Sequence, residues 1–284
     1  MKIFTVDLYK YFDITREENA VGYLTCYVNE NTNEISYSRK HPAMIVIPGG
    51  GYGMRSDREN EPIALQYLAN DYCAFTLQYA ITPAKFPTML IESCMAVAYV
   101  RENANELNVN ENAIACVGFS AGGHLCAMTG TMFNDPAVTK VLGEKSKLTR
   151  PDAVVLGYPV ITGKEGIAHR GSFINLCGND AELTNYLSVE NRVTKDSAPA
   201  FIFHTSTDGV VPVQNSLIIA NAYVDAGVPF ALHVFEKGEH GLSLADLSVY
   251  SIERFTGKVF SADVAKWVDL SITWLKERGF TVVE

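Results

Sequence analysis

Six short runs in this chain are apolar almost from end to end: Ala43–Pro48, Cys73–Tyr79, Ala113–Phe119, Ala153–Pro159, Ala200–Thr205 and Phe230–Phe235. A run of that length which does not alternate polar with apolar is covered on both faces, the condition of a strand inside a parallel sheet. Parallel neighbours need long crossovers, and the stretches between the runs carry helical spacing. One begins near Pro87 and places Leu90, Cys94, Val97, Val100, Ala104 and Leu107 at three- and four-residue steps. Another opens at Pro212, a good first-turn residue, and stops at Gly227; the last carries Val264, Trp267, Leu270 and Trp274. Strand and helix alternating along the whole chain predict an α/β fold, a mostly parallel sheet with helices on both faces. Val21–Val28 and Glu34–Ser38 alternate instead, which predicts antiparallel strands at an edge. No linker, charge block or repeat divides the 284 residues, so the expectation is one domain, 1–284, with insertions.

The charge balance excludes one large class of partner. A formal net charge of -9 runs against nucleic-acid binding, which relies on clustered Lys and Arg. The opening stretch MKIFTVDLYKYFDITREE holds no apolar core of signal-peptide length, and no later segment reaches transmembrane length. Six cysteines are scattered through apolar segments with no metal-ligand spacing, which predicts free, buried thiols and, with the absence of a leader, a cytoplasmic protein without a membrane partner.

The chemistry concentrates where strands end. Gly118-Phe119-Ser120-Ala121-Gly122 follows the Ala113–Phe119 run and opens a helical stretch, so a G-x-S-x-G pattern sits in a strand-turn-helix context. A sharp turn with the serine in a strained conformation leaves no room for side chains two residues to either side. Ser120 is therefore the candidate nucleophile. The start of the helix offers the Ala121 amide to a developing negative charge.

A serine hydroxyl needs a general base, and the base needs an acid to orient it. In a fold of this kind the acid and then the base follow on later strands. Asp208 lies just after the Ala200–Thr205 run, in TSTDGVVP, and is the expected acid; Asp180 and Asp225 are the rivals that position disfavours. His240 follows the Phe230–Phe235 run between Gly238 and Gly241 and is the expected base. His204 and His233 belong to strands and read as packing or hydrogen-bonding residues. His124, one turn after Ser120, reads as lying beneath the nucleophile; His41 precedes a strand and His169 lies in a loop-rich segment.

Three consecutive glycines in IPGGGYG, after the Ala43–Pro48 run, let backbone amides approach a substrate oxygen with no side chain in the way. No Gly-Lys-Ser/Thr follows, which argues against a phosphate loop. Gly50 and Gly51, with Ala121, are the expected oxyanion donors.

PGGGYGMRSDRENEP, GFSAGGH, GYPVIT, HTSTDGVVP and EKGEHGL, taken in that order, give the chain after about residue 40 a resemblance to the α/β-hydrolase fold esterases, and within them to the acetyl-xylan-esterase-like and carbohydrate-esterase-like group. Pro48 stands where many lipases and carboxylesterases carry the histidine of an H-G-G-G loop, a departure that disfavours a generic lipase. The resemblance implies an α/β-hydrolase fold with short cap insertions. It also implies a serine hydrolase of short acyl esters, often acetyl groups on sugars, that uses neither metal nor organic cofactor. Two insertions, Ile161–Asp196 and Leu242–Phe260, lie beside strand ends where such sites form, and Tyr52, Tyr158 and Phe173 are expected to line the pocket, with a core role the alternative for each. A prolyl-oligopeptidase-type peptidase shares the order Ser, Asp, His but brings a large extra domain, and a catalytically dead binding protein would have no need of the full residue set.

Overall fold

The six apolar runs form six parallel strands in one eight-stranded sheet, in a computed structural model that describes residues 1–257 and 260–284. With β1 (Lys2–Asp7) and β2 (Tyr23–Val28) ahead of them, these are β3 (His41–Ile47), β4 (Cys73–Gln78), β5 (Val109–Phe119), β6 (Ala153–Gly157), β7 (Ala200–Thr205) and β8 (Phe230–Phe235). The sheet order is β1-β2-β4-β3-β5-β6-β7-β8, antiparallel in the β1/β2 and β2/β4 pairs and parallel elsewhere.

The pleat explains why the runs do not alternate. Ala43, Ile45, Ile47, Cys116, Val154, Leu156 and Ile202 enter a core on one face; Met44, Val46, Ala115, Val117, Val155, Phe201 and Phe203 enter a second core on the other. Helices Thr88–Glu102, Ala121–Thr131 and Gln214–Ala226 cover the first face, and Glu61–Leu68 with Trp267–Lys276 the second. Every residue of β3, β6 and β7 is buried, while β8, at the edge, is mostly half-buried.

Three details depart from the sequence reading. The helix after Pro87 stops at Glu102, where the Asn103 side chain donates to the Tyr99 carbonyl (2.8 Å), so Ala104 and Leu107 lie beyond it. It is also buried nearly all round, because Tyr99 packs against Tyr11 of the N-terminal segment on the side away from the sheet. Glu34–Ser38 forms no strand: a single bridge joins Thr32 to Ser36, and Ile35 and Tyr37 are exposed. The edge position is taken instead by β1, whose mostly exposed residues carry little apolar signal. All six cysteines are free, five buried and Cys177 half-buried. Among the described residues no helix is long and apolar enough to cross a membrane.

The topology also locates a crevice. From β3 the chain moves to β4 on one side, and from β5 to β6 on the other, so the loops after β3 and β5 part from one another. Open α/β sheets bind ligands at the carboxyl ends of strands where connections diverge in this way.

Candidate active site

Ser120 follows β5 directly and holds φ 53° and ψ −119°, a conformation an L-residue adopts only under constraint. Its amide donates to the Gly157 carbonyl and its carbonyl accepts from Val160, both at 3.0 Å, so the turn is pinned to the end of β6. The flanking glycines are forced by contact. A Cβ on Gly118 would stand 2.2 Å from the Gly122 carbonyl oxygen, and one on Gly122 would stand 2.3 Å from the carbonyl oxygens of Ile47 and Pro48. Helix Ala121–Thr131 starts immediately, which leaves the Ala121 amide without an intrahelical acceptor.

The loops after β7 and β8 bring Asp208 and His240 to this turn. Asp208 Oδ1 accepts from the Val210 and Val211 amides, each at 2.9 Å. Its Oδ2 lies 2.6 Å from His240 Nδ1, and His240 Nε2 lies 2.8 Å from Ser120 Oγ. An ionised carboxylate only accepts, so Nδ1 carries the proton and Nε2 is left to receive one from the serine hydroxyl. Burial by itself would raise the Asp208 carboxyl. The hydrogen bonds from His204 and His240 and the Val210 amide outweigh it and hold the group well below the usual carboxylate range. His204, on β7, sits 3.4 Å from Asp208 Oδ2 while also bonding to Ser216 and the Val211 carbonyl. Asp180 instead caps a helix by accepting from Leu183, and Asp225 is exposed.

The glycine loop after β3 is held by almost every polar group it owns. The Pro48 carbonyl accepts from the Tyr79 hydroxyl (2.7 Å) and the Gly49 amide donates to Glu59 Oε2 (2.9 Å). The carbonyls of Gly49, Gly50 and Gly51 accept from the Ser56 amide, from the Gly53 and Met54 amides, and from the Asn175 side chain. Among the described residues the amides of Gly50 and Gly51 make no hydrogen bond. Gly50 and Gly51 have φ of 127° and 63°, which side chains disfavour.

Two of the expected pocket residues are elsewhere. Tyr52, at φ 57°, turns into the core, fully buried, with its hydroxyl 2.8 Å from His124 Nδ1. Tyr158, at φ 34°, is also buried; its hydroxyl donates to Glu59 Oε1 (2.7 Å), and its ring stands edge-on to His240 at 5.1 Å. Both are buried, so neither presents surface to a pocket. Phe173 packs on His124 and borders a cavity of about 870 Å³ within the Ile161–Asp196 insertion, alongside Arg170, Asn185 and Glu190. Of the second insertion, Leu242–Phe260, residues 258 and 259 lie outside the described residues.

His169, which the sequence places in a loop-rich segment, is a further neighbour of the glycine loop. It caps helix Arg170–Cys177 by accepting from the Ser172 amide at Nδ1, and its Cε1 would stand 3.9 Å from a Cβ on Gly51. Burial and the charge of His240 both lower its pKa.

A mostly parallel sheet with Ser120 after β5, Asp208 after β7 and His240 after β8, and a glycine loop beside the serine, defines the chain as an α/β-hydrolase. More narrowly, it belongs to the BD-FAE family, whose model matches residues 29–223. It is 37% identical over 226 residues to an endo-1,4-beta-xylanase B of Butyrivibrio fibrisolvens, covering 75% of this chain and 34% of that one. It is 28% identical over 239 residues to an acetylxylan esterase of Xylanibacter ruminicola, covering 82% and 46%. The chain thus spans a third to a half of the length of these curated relatives. A solved acetyl ester-xyloside bifunctional hydrolase from Caldicellulosiruptor lactoaceticus superposes with a TM-score of 0.77 at 36% identity, over 92% of this chain and 89% of that one.

Proposed function

We propose that this chain is a serine carboxylesterase that removes short acyl groups, acetyl above all, from sugars or xylo-oligosaccharides through an acyl-enzyme. The observation that carries the reading is His240 bridging Ser120 and Asp208 by hydrogen bonds of 2.8 and 2.6 Å, beside the Gly50 and Gly51 amides, which make no hydrogen bond among the described residues. His240 takes the Ser120 proton as Oγ attacks the ester carbonyl. Asp208 fixes the imidazole tautomer and stabilises the imidazolium that forms. The Gly50, Gly51 and Ala121 amides receive the oxyanion, and His240 returns its proton to the leaving alcohol. Water then enters by the same roles and frees the acid, so protein groups alone carry each step. The names of the relatives, an acetylxylan esterase and an acetyl ester-xyloside hydrolase, support an acetylated pentose substrate.

A fluorophosphonate probe tests the core of this reading, since only an activated serine reacts readily. Labelling at Ser120, p-nitrophenyl acetate turnover and acetate release from acetylated xylo-oligosaccharides are the expected results. An unlabelled, inert wild-type protein would refute it.

A further inference from the structure

Within the serine-esterase reading, on which the inference rests, we propose that Glu59 is the positioning residue that sets the oxyanion donors against Ser120 and His240. Glu59 is 3% exposed, so a carboxylate lies almost wholly out of water, an arrangement that is costly unless its oxygens are engaged. Both are. Oε2 accepts from the Gly49 amide at 2.9 Å, and Oε1 accepts from the Tyr158 hydroxyl at 2.7 Å. The Tyr158 hydroxyl in turn accepts from the Ser243 amide at 2.9 Å, three residues beyond His240.

The preceding residue grips the same two loops. Arg58 donates to the Gly241 carbonyl at 2.9 Å, and its own carbonyl accepts from the Ser243 hydroxyl. One short segment, Arg58–Glu59, thus ties the glycine loop after β3 to the histidine loop after β8. These loops meet nowhere in sequence, yet their registry decides whether the oxyanion donors and the base face one carbonyl.

The need for such a tie comes from the glycines. Three in a row give the loop freedom to reach φ of 127° and 63°, and the same freedom would let the Gly50 and Gly51 amides turn away. Fixing the Gly49 peptide by a charge-assisted bond removes that freedom one residue upstream of the donors. The contact is close: a Cβ on Gly49 would stand 2.6 Å from Glu59 Oε2 and 3.1 Å from Ser120 Cβ. Glu59 touches no substrate in this scheme; it acts through Gly49 and Tyr158.

The test is Glu59→Gln in the full chain. Glutamine keeps one acceptor for Gly49 but offers Tyr158 a donor where it needs an acceptor. Loss of a single oxyanion donor costs about 10²–10³ in kcat, and a loosened loop is expected to cost about a tenth of that, a fall of roughly 10- to 100-fold. KM for p-nitrophenyl acetate should stay within about threefold, the split expected when only transition-state binding is lost. The Ki of an alkyl trifluoromethyl ketone, which forms a tetrahedral adduct with the serine, should rise in parallel with the fall in kcat/KM. Were Glu59→Gln not to fold, Tyr158→Phe reads the same chain of contacts, with a kcat loss at unchanged KM expected. In a folded variant, kcat and Ki within twofold of the wild type overturn the proposal while leaving the esterase reading intact. A wild type that neither binds the ketone nor reacts with fluorophosphonate overturns the esterase reading first.

Discussion

Replacing Asp208 by asparagine isolates the charge of the acid from its shape. The two backbone amides of Val210 and Val211 donate to Oδ1, so they dictate how the new amide sits: its oxygen must take the Oδ1 position, and its NH₂ must take that of Oδ2. That NH₂ then faces His240 Nδ1 across 2.6 Å, the closest contact in the relay. Two donors cannot share it, so Nδ1 gives up its proton and Nε2 becomes the donor toward Ser120. The imidazole is left unable to receive the serine proton, and the stabilisation of the imidazolium is lost as well. In serine proteases the same change lowers kcat about 10⁴-fold, and p-nitrophenyl acetate, with its good leaving group, is expected to show a loss of about 10³–10⁴. Stability should change little, by about 1–2 kcal/mol, because both Oδ1 bonds survive. The assay is kcat at pH 7 beside a thermal melt, with Asp180→Asn as control; asparagine caps a helix as well as aspartate does, so that variant should keep kcat within a few-fold. A folded Asp208→Asn enzyme with kcat within tenfold of the wild type, or an Asp180→Asn enzyme more damaged than it, would refute the assignment of the acid.

Ser120→Ala should abolish p-nitrophenyl acetate turnover, whereas Ser120→Gly, at φ 53°, should also raise the melting temperature by relieving a strain of about 1–3 kcal/mol; a circular dichroism melt of Ser120→Gly no higher than wild type would count against that strain. In a rate series over acyl length, acetyl and propionyl esters should outpace octanoyl and longer ones, and faster cleavage of the long chains would point to a lipase. Glu92 is buried, and desolvation raises its pKa from 4.5 to about 7, against the hydrogen bonds it accepts from Ala80, Val21 and Tyr9. The folded state therefore binds the proton more tightly than the unfolded one, so the stabilisation from the neutral carboxyl is full below pH 4.5, falls as pH rises toward about 7 and is flat beyond. The destabilisation of Glu92→Gln relative to wild type, read by urea melts at pH 5 and pH 8, should shrink with rising pH by on the order of 3 kcal/mol, and a pH-independent difference would refute it.

The fold was legible where a single physical rule acted on neighbours in sequence. Continuous apolar runs marked the inner strands β3 to β7 because each is covered on both faces, and the glycines around Ser120 were readable because backbone atoms exclude a Cβ there. Asp208 and His240 could be picked by their order after successive strands, which is a property of topology rather than of local chemistry. What escaped was chemistry made by distant segments. Glu59 sits in RSDRENEP, and nothing in that stretch announces that Gly49 and Tyr158 will close over it. Tyr52 and Tyr158 stand next to site loops in sequence, and nothing there tells that both are buried, with φ of 57° and 34°. β1 was missed because an exposed edge strand buries too little to leave a pattern.

The buried thiols bear on how the protein can be labelled. Burial pushes Cys73 up to about 11 and Cys26 and Cys116 up to about 12, so almost none of these groups is thiolate at neutral pH, and an un-ionised thiol neither alkylates nor exchanges disulfides at a useful rate. Electrophiles that seek serine therefore meet little competition from sulfur. Cys177 is half-buried rather than buried, although burial raises its thiol too, and its Sγ lies 3.1 Å from the Phe173 carbonyl at the end of the helix that His169 caps. At a pH high enough to ionise this thiol, a maleimide dye attached there would sit at the far end of the helix that flanks Gly51, a place from which changes at the glycine loop can be followed by fluorescence with the serine left free.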